Sequence, residues 1–288
     1  MNNIMSMPGT LGSATIIFRN NKKMEIIGII GLGFVGGAIK NAMNVNSWGY
    51  DIVCVDPAKG LTATYDELKE CSGIFVCVPS PQGDDGSCDT SILEDVLQKL
   101  KAVDYTGVII SKCTAPPDVY TRLNDQYPNL VHAPEFLTAA NANSDYINGT
   151  FAFIGGRVSA YIREAERIIC MGQKNLSEHV IPCTIAEAAL AKYTINSFMA
   201  TKVVFMNEIY KLTNALGCDY NAIAGMVTHD SRIGNSHMSV PGPDGHFGFG
   251  GACFPKDTSA LLKIAEQVNV DMMVLDAAVK KNTFLRLT

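Results

Sequence analysis

Apolar residues in the first half of the chain fall into six short runs separated by helical patterns. The runs are rich in Ile, Val and Phe, and they are apolar at consecutive positions, as strands buried on both faces are. They occupy residues 26–31, 52–55, 73–78, 107–111, 130–133 and 151–156. Strands that alternate with helices predict a mostly parallel sheet with helices on both faces, the doubly wound α/β class.

The second half of the chain follows a helical pattern throughout. Residues 186–217 have apolar positions at helical spacing and no proline or glycine before Gly217, so they predict one long helix that ends there. Shorter helices are expected near 220–228, 256–268 and 271–286, with a glycine-rich loop over 229–257. The boundary falls near Pro182–Thr184, between an α/β domain over 24–183 and an all-α domain over 184–288.

The long helix also predicts an assembly. It carries more apolar surface than one small helical domain can cover, and exposed apolar patches of that size usually mark interfaces. We therefore expect a homodimer or larger oligomer that forms through this helix.

Composition narrows the class of protein further. The chain has 288 residues, 47% of them apolar and 18% charged, which suits two folded domains and excludes a wholly disordered chain. Residues 1–23 lack the basic start and apolar run of a signal peptide, and we interpret them as a loose extension. No apolar stretch reaches the roughly 20 residues of a membrane helix. A net charge of -5 without a Lys/Arg cluster argues against a nucleic acid partner.

Cysteine and histidine spacing bears on location and metals. Nine cysteines without a C-x-x-C pair make a disulfide framework improbable and favour a reducing cytoplasm. Five histidines have no ligand-like spacing, so no metal site is expected.

A glycine motif follows the first predicted strand and opens a helix. It reads Gly31-Leu-Gly33-Phe34-Val35-Gly36, and Asp56 ends the next strand 20 residues later. This context is that of a dinucleotide-binding fingerprint in a Rossmann-type fold. Gly31 permits the tight turn, Gly33 lets the backbone approach a pyrophosphate, and Gly36 allows close helix packing. A carboxylate at Asp56 accepts hydrogen bonds from ribose hydroxyls and repels a 2′-phosphate, so NAD is favoured over NADP.

A cysteine motif stands at the end of the glycine-rich loop. The segment GFGGACFPKD covers residues 248–257 and places Cys253 just before a probable helix, in which Pro255 suits the first turn. A helix N-terminus and the nearby Lys256 both favour the thiolate, so Cys253 is a candidate nucleophile. The other eight cysteines are interpreted as inert core residues.

Together these segments resemble the UDP-glucose/GDP-mannose 6-dehydrogenase family of nucleotide-sugar dehydrogenases. The matching segments are GLGFVG (31–36), VPSPQGDDGSCDTS (78–91), SKCTAP (111–116), APEFL (133–137), AKYTINSFMATKVVFMNE (191–208), SRIG (231–234) and GFGGACFPKD (248–257). They occur in family order over nearly the whole chain. The resemblance implies that two NAD+ oxidise a sugar CH2OH to a carboxylate, with Cys253 forming a thiohemiacetal and then a thioester that water hydrolyses. UDP-glucose is the expected substrate and UDP-glucuronate the expected product.

The resemblance also implies roles for individual residues. Lys192 would stabilise oxyanion character, Asn196 would orient a water or substrate oxygen, and Asp257 would act as a base through water. Glu135 would activate the hydrolytic water, and Thr114 would position it. The residues expected to contact the cofactor are Gly31, Gly33, Phe34, Val35, Gly36, Asp56, Pro79, Ser80, Thr114 and Lys256. Those expected to contact the substrate are Glu135, Phe136, Leu137, Lys192, Asn196, Arg232, Phe249 and Gly250, with Arg232 reaching across a dimer interface.

The chain departs from the family pattern at three places. It ends at Thr288, without the second nucleotide-binding-like domain of the family, so weak substrate binding is expected. Ala139 replaces the second Glu of the family motif EFL-x-E. Ser231 replaces the proline of the family motif D-P-R-I-G.

Two other functions are compatible with parts of this pattern. A one-step hydroxyacid dehydrogenase also pairs a Rossmann domain with a helical domain and places Lys and Asn four residues apart, but it needs no nucleophilic cysteine. A weakly active or inactive NAD-binding dimeric module would explain the short chain, but it leaves the intact Cys253, Lys256 and Asp257 without a purpose.

Overall fold

The computed structural model describes residues 24–45, 49–138, 140–173, 175–176 and 179–287; the expected extension over 1–23 and Ala139 lie outside them. The strands are β1 Glu25–Ile30, β2 Tyr50–Asp56, β3 Leu61–Thr62, β4 Gly73–Val76, β5 Val108–Ser111, β6 Leu130–His132, β7 Ala152–Gly155 and β8 Val180–Cys183. The helices are α1 Phe34–Val45, α2 Tyr65–Leu68, α3 Ser91–Ala102, α4 Pro117–Gln126, α5 Ala142–Ile147, α6 Ser159–Gly172, α7 Ile185–Ala215, α8 Tyr220–Val227, α9 Phe254–Gln267 and α10 Met273–Arg286.

The strands form one sheet in the order β3-β2-β1-β4-β5-β6-β7-β8. The central pairs are parallel, whereas β3 runs antiparallel to β2 and β7 runs antiparallel to β6. The predicted class, a mostly parallel doubly wound α/β sheet followed by a helical region, is therefore confirmed. Chain order reverses between β1 and β4, and in open sheets of this kind ligands bind outside the carboxyl ends of the strands at that point.

The apolar runs form strands because each buries both of its faces. On β1, Ile27 and Ile29 belong to the core on one side of the sheet, and Ile30 belongs to the core on the other. In the same way, Phe75 of β4 faces one core while Ile74 faces the other. Burial on two faces removes the alternation of polar and apolar residues, so consecutive apolar residues were the correct signal.

Two strands were not predicted from the pattern. β3 has only two residues, too few to show any periodicity. β8 is partly exposed and contains Pro182, and it is specified by its parallel pairing with β7. The sheet therefore extends to Cys183, close to the predicted domain boundary.

The long helix α7 begins directly after the sheet. Thr184 caps it in a capping box, in which its hydroxyl accepts from the Glu187 N–H and the Glu187 carboxylate accepts from the Thr184 N–H. The helix ends at Ala215, and Gly217 follows with φ +66°, the left-handed conformation expected of a helix stop. Among the described residues no helix, α7 included, is both long and apolar enough to cross a membrane.

The helical region contacts the sheet region through a loop as well as through α7. Ser259 of α9 donates a hydrogen bond to the Gly86 carbonyl (3.1 Å) and accepts one from the Gln82 amide (3.1 Å). Residues 82 and 86 belong to the segment between β4 and α3. The carboxyl edge of the sheet is thereby attached to the helix that begins after Cys253.

Candidate active site

The loop between β1 and α1 has the geometry that its three glycines suggest. Gly31 has φ +86°, and a Cβ there would lie 2.8 Å from the Cys77 carbonyl oxygen. A Cβ on Gly36 would lie 2.0 Å from the Gly31 carbonyl oxygen, so α1 packs against the turn without room for a side chain. A Cβ on Gly33 would meet no described atom within 4 Å. The backbone at Gly33 is thus open to a ligand beside the N-terminus of α1, where free N–H groups favour phosphate.

Asp56 lies at the end of β2, beside this loop. Its carboxylate accepts a hydrogen bond from the Leu32 N–H at 2.7 Å, and the Lys59 ammonium donates to the Leu32 carbonyl. Phe34 and Val35 open α1, and the Phe34 side chain is 46% exposed. Asp56 therefore holds the glycine loop and still offers a carboxylate for ribose hydroxyls.

The remaining expected cofactor contacts follow the next two strands. Pro79 and Ser80 come after β4, and Thr114 comes after β5. Ser80 is buried, and its Oγ has no hydrogen-bond partner among the described residues. An open glycine turn, a carboxylate and an unpartnered hydroxyl along one sheet edge fit a dinucleotide.

Cys253 lies in a cleft of about 270 Å³ between the sheet edge and α7. The cleft is lined by Phe136, Leu137, Thr138, Lys192, Ile195, Asn196, Met199, His237 and residues 250–254. Cys253 precedes α9 as its N-cap residue, its thiol is free and exposed, and its carbonyl accepts the Asp257 N–H at 2.8 Å. The predicted nucleophile thus occupies the start of a helix and faces a cavity.

Polar groups from α7 and α9 meet at Asp257, four residues after Cys253. The Asn196 amide donates to Asp257 Oδ2 at 2.5 Å, and the Lys256 ammonium pairs with the other oxygen of Asp257. Asp257 is only 1% exposed, so both of its oxygens are satisfied inside the protein. The structure therefore brings Lys192, Asn196, Asp257 and Cys253 together, as the sequence predicted.

Lys192 lines the same cleft and is held by the residues that follow β6. Its ammonium donates to the Glu135 carbonyl and lies 4.8 Å from the centre of the Phe136 ring. Burial lowers the pKa of Lys192, and the nearby Asp257, Cys253 and Glu135 act in the opposite direction. Lys192 therefore loses its proton at a lower pH than an exposed lysine does, although the neighbouring acidic groups favour its charged form.

The Glu135 carboxylate is held by Lys112 and by the backbone of the next residue. Its Oε2 lies 3.1 Å from the Lys112 ammonium, and its Oε1 accepts the Phe136 N–H at 3.0 Å. The carboxylate borders a second cavity of about 270 Å³, which shares Phe136 and Leu137 with the Cys253 cleft. Glu135 thus lies between the two cavities.

Two of the predicted substrate contacts lie elsewhere in this chain. Phe249 is 4% exposed and packs in the core of the helical region, so its side chain does not line the cleft. Arg232 is exposed and paired with Asp230 within its own loop, away from the cleft lining. Gly250, in contrast, lines the cleft as expected.

Several residues of the site have no predicted role, and Lys112, His237 and Asn282 are among them. Lys112 belongs to the SKCTAP segment and pairs with Glu135, His237 lines the cleft with φ +60°, and Asn282 of α10 binds the backbone of the GFGG segment. Lys112 and Asn282 are far in sequence from their partners Glu135 and Phe249, so local sequence patterns do not indicate these contacts. His237 stood in a loop whose course the sequence does not specify.

Comparisons with known proteins agree with this geometry. Residues 57–170 match the NAD-binding domain of the UDP-glucose/GDP-mannose dehydrogenase family, and residues 186–283 match its central domain. The chain is 30% identical over 227 residues to a UDP-glucose 6-dehydrogenase of Rickettsia bellii, an alignment that covers 75% of this chain and 50% of that protein. The chain thus spans about half the length of that curated relative.

Two solved structures share the fold. A UDP-glucose dehydrogenase from Pyrobaculum islandicum superposes with a TM-score of 0.75 at 24% identity, over 92% of this chain and 69% of that one. A 3-hydroxyisobutyrate dehydrogenase from Mycobacterium tuberculosis superposes with a TM-score of 0.69 at 16% identity, over 91% and 94%. Since two domains of one family match in order and cover most of the described residues, the chain belongs to the UDP-glucose/GDP-mannose dehydrogenase family and carries its NAD-binding domain.

Proposed function

We propose that this protein is an NAD-dependent nucleotide-sugar 6-dehydrogenase that oxidises a hexose C6 alcohol, that of UDP-glucose, to the carboxylate. The observation that supports this best is the position of Cys253, an exposed thiol at the start of α9 in a cleft with Lys192 and Asn196. A dehydrogenase that stops at an aldehyde or ketone has no use for a nucleophile there.

Cys253 provides the step that makes a second oxidation feasible. A first bound NAD+ would accept a hydride from the alcohol while the hydroxyl proton passes to water, and, after NADH is exchanged, a second NAD+ would accept a hydride from the later adduct. The Cys253 sulfur adds to the aldehyde carbon, and the aldehyde oxygen takes a proton to give a thiohemiacetal. Loss of hydride and of that proton gives a thioester on Cys253. Water then attacks the acyl carbon, the C–S bond breaks, and the carboxylic acid and thiol are released.

Lys192 and Asn196 serve the oxygen of the reacting carbon. The Lys192 ammonium stands in the cleft where negative charge develops on that oxygen, and fixed positive charge lowers the energy of such a state. Asn196 is fixed by its hydrogen bond to Asp257, so its amide is already oriented in the cleft. Asp257, expected to act as a base through water, has both oxygens occupied by Asn196 and Lys256, so its role in this proposal is to hold those two side chains in place.

Hydrolysis of the thioester is assigned to Glu135, assisted by Thr114. Glu135 lies at the boundary of the two cavities and can take the proton of a water that attacks from the side of Phe136 and Leu137. Thr114 follows β5 at the same sheet edge and would orient that water.

We also propose a homodimer formed through α7. Four large apolar residues on α7 are 46–64% exposed and lie seven or eight positions apart, which places them along one face: Leu190, Phe198, Phe205 and Leu212. A second copy would cover this stripe, and its Arg232 would supply the contact that Arg232 does not make within one chain. The nine free cysteines suit a reducing, cytoplasmic location.

A one-step hydroxyacid dehydrogenase is the second candidate, because a 3-hydroxyisobutyrate dehydrogenase shares the fold over nearly its whole length. The two functions are separated by incubating the purified protein with NAD+ and a panel of UDP-sugars, GDP-sugars and hydroxyacids. Two NADH per nucleotide sugar support the proposal. One NADH per hydroxyacid, with no reaction on nucleotide sugars, overturns it, and so does no NADH from any substrate.

A further inference from the structure

Lys112 is a buried cation without a role in the mechanism above. It follows β5, and its N–H donates to the Val76 carbonyl at 2.9 Å, which fixes its backbone at the sheet edge. Its side chain is 2% exposed, and its ammonium lies 5.8 Å from the centre of the Tyr146 ring. A buried ammonium is costly unless a counter-charge accompanies it, and the counter-charge here is Glu135.

The contact between Lys112 and Glu135 leaves the carboxylate able to accept more hydrogen bonds. Glu135 Oε2 lies 3.1 Å from the ammonium, but it makes no hydrogen bond of good geometry among the described residues. Gln173 borders the same cavity, and its buried Oε1 also has no partner there. Buried acceptors in a polar cavity are normally satisfied by ordered water. The second cavity is therefore suited to hold water against Glu135.

Glu135 also connects this cavity with the Cys253 cleft. Its carbonyl accepts from Lys192, its Oε1 accepts from Phe136, and Phe136 lines both cavities. Any rotation of the Glu135 side chain would break the contacts to Lys112 and Phe136. The orientation of this carboxylate is thus set on one side by the backbone N–H of Phe136 and on the other by Lys112.

We propose that Lys112 is a positioning residue for thioester hydrolysis, which keeps the Glu135 carboxylate turned toward water in the second cavity. The inference rests on the proposed function, in which Glu135 takes a proton from the attacking water. Water oxygen bonds to the acyl carbon, the proton passes to Glu135, and the Cys253 sulfur leaves as a thiolate. Without Lys112 the carboxylate loses the contact that orients its Oε2, so it no longer faces the attacking water.

The test separates hydrolysis from hydride transfer. In Lys112→Met we expect the release of the acid to slow about 10²-fold or more, the usual effect of losing a general base. The burst of two NADH per active site should stay within about threefold of the wild-type rate. The thioester should accumulate on Cys253, visible by mass spectrometry of the intact protein and removed by hydroxylamine. Lys112→Arg should restore most of the release rate, and Lys280→Met, at an exposed lysine of α10, is the control for lost charge.

Two further measurements keep the inference open to refutation. If Lys112 acts through Glu135, Lys112→Met should have little additional effect in a Glu135→Gln background, where burial of an unpaired charge no longer threatens folding. If Lys112→Met slows the NADH burst as much as the release of the acid, Lys112 has only a structural role. Additive effects of Lys112→Met and Glu135→Gln on acid release would lead to the same conclusion. A wild-type protein that gives two NADH and a Cys253 adduct supports the proposed function whatever the variants show. A wild-type protein that gives neither overturns both.

Discussion

The side-chain amide of Asn282 binds both backbone groups of Phe249. Its Oδ1 accepts the Phe249 N–H at 2.7 Å, and its Nδ2 donates to the Phe249 carbonyl at 3.0 Å, as a neighbouring strand would. Asn207 of α7 adds a third contact by accepting the Gly248 N–H at 3.1 Å. Two helices thus fix the backbone that leads to Cys253, although the segment contains no regular structure of its own.

We expect Asn282→Ala to loosen this segment. It leaves two buried backbone groups unpaired, which costs about 1–3 kcal/mol for each group in the free energy of unfolding. Urea denaturation measures the loss, and hydrogen exchange at residues 248–251 should become faster. Asn214→Ala, at an exposed position of α7, is the matched control. Unchanged exchange in Asn282→Ala would show that Asn207 alone is sufficient.

Cys253→Ser should stop the reaction before the acid. A serine alkoxide is harder to form and its ester hydrolyses less readily than a thioester, so acid formation should fall roughly 10³-fold or more. Cys218 is also free and exposed, which makes Cys218→Ser the matched control. The number of NADH formed per sugar tests this prediction, because two NADH per sugar from Cys253→Ser would exclude a mechanism through a Cys253 thioester.

Lys192 should impose an alkaline limit on hydride transfer. Burial lowers the pKa of Lys192, while Asp257, Cys253 and Glu135 oppose that shift and Lys256 adds to it. The charge needed at the reacting oxygen is present at low pH and is lost as the pH rises through that lowered pKa. The rate of hydride transfer should therefore begin to fall at a pH below the pKa of an exposed lysine.

The matching experiment replaces Lys192 by arginine and by methionine. In Lys192→Arg the alkaline limit should disappear from the pH profile, because a guanidinium stays protonated. In Lys192→Met the rate should fall about 10²–10³-fold at all pH values. An alkaline limit that persists in Lys192→Arg would assign it to another group.

Asp56 should determine the choice between NAD and NADP. Asp56→Ala removes the charge that repels a 2′-phosphate and also the acceptor for Leu32 N–H. Asp56→Asn retains an acceptor and removes only the charge. We expect both variants to bind NADP better relative to NAD, and Asp56→Ala alone to weaken both cofactors. Fluorescence titration measures the constants, and a wild-type protein without preference would contradict the assignment.

The exposed stripe on α7 should hold two copies together. Phe198→Asp combined with Phe205→Asp places two charges in the interface and should convert a dimer into a monomer of 31.0 kDa in light scattering. Val274→Asp, at an apolar residue of α10 that is 76% exposed, is the control and should leave the dimer intact. A wild-type monomer at micromolar concentration would refute the dimer.

Local patterns predicted the features that depend on neighbours in sequence. The glycine loop, the helix stop at Gly217 and the start of α9 near Pro255 each follow from one residue's backbone preference. The pairing of Lys112 with Glu135 joins two strand ends and depends on the order of strands in the sheet. The contact of Asn282 with Phe249 spans 33 residues and depends on how α10 packs. Such long-range contacts leave no periodic signal.

The attachment of Ser259 to Gly86 has a thermodynamic consequence. The segment between β4 and α3 begins next to Ser80 on the cofactor side, and Ser259 belongs to the helix that Cys253 caps. A ligand that favours one position of this segment also favours one position of that helix. Coupling between two binding sites is reciprocal. If bound cofactor changes the affinity of Cys253 for a reversible thiol ligand by some factor, that ligand changes the affinity for cofactor by the same factor.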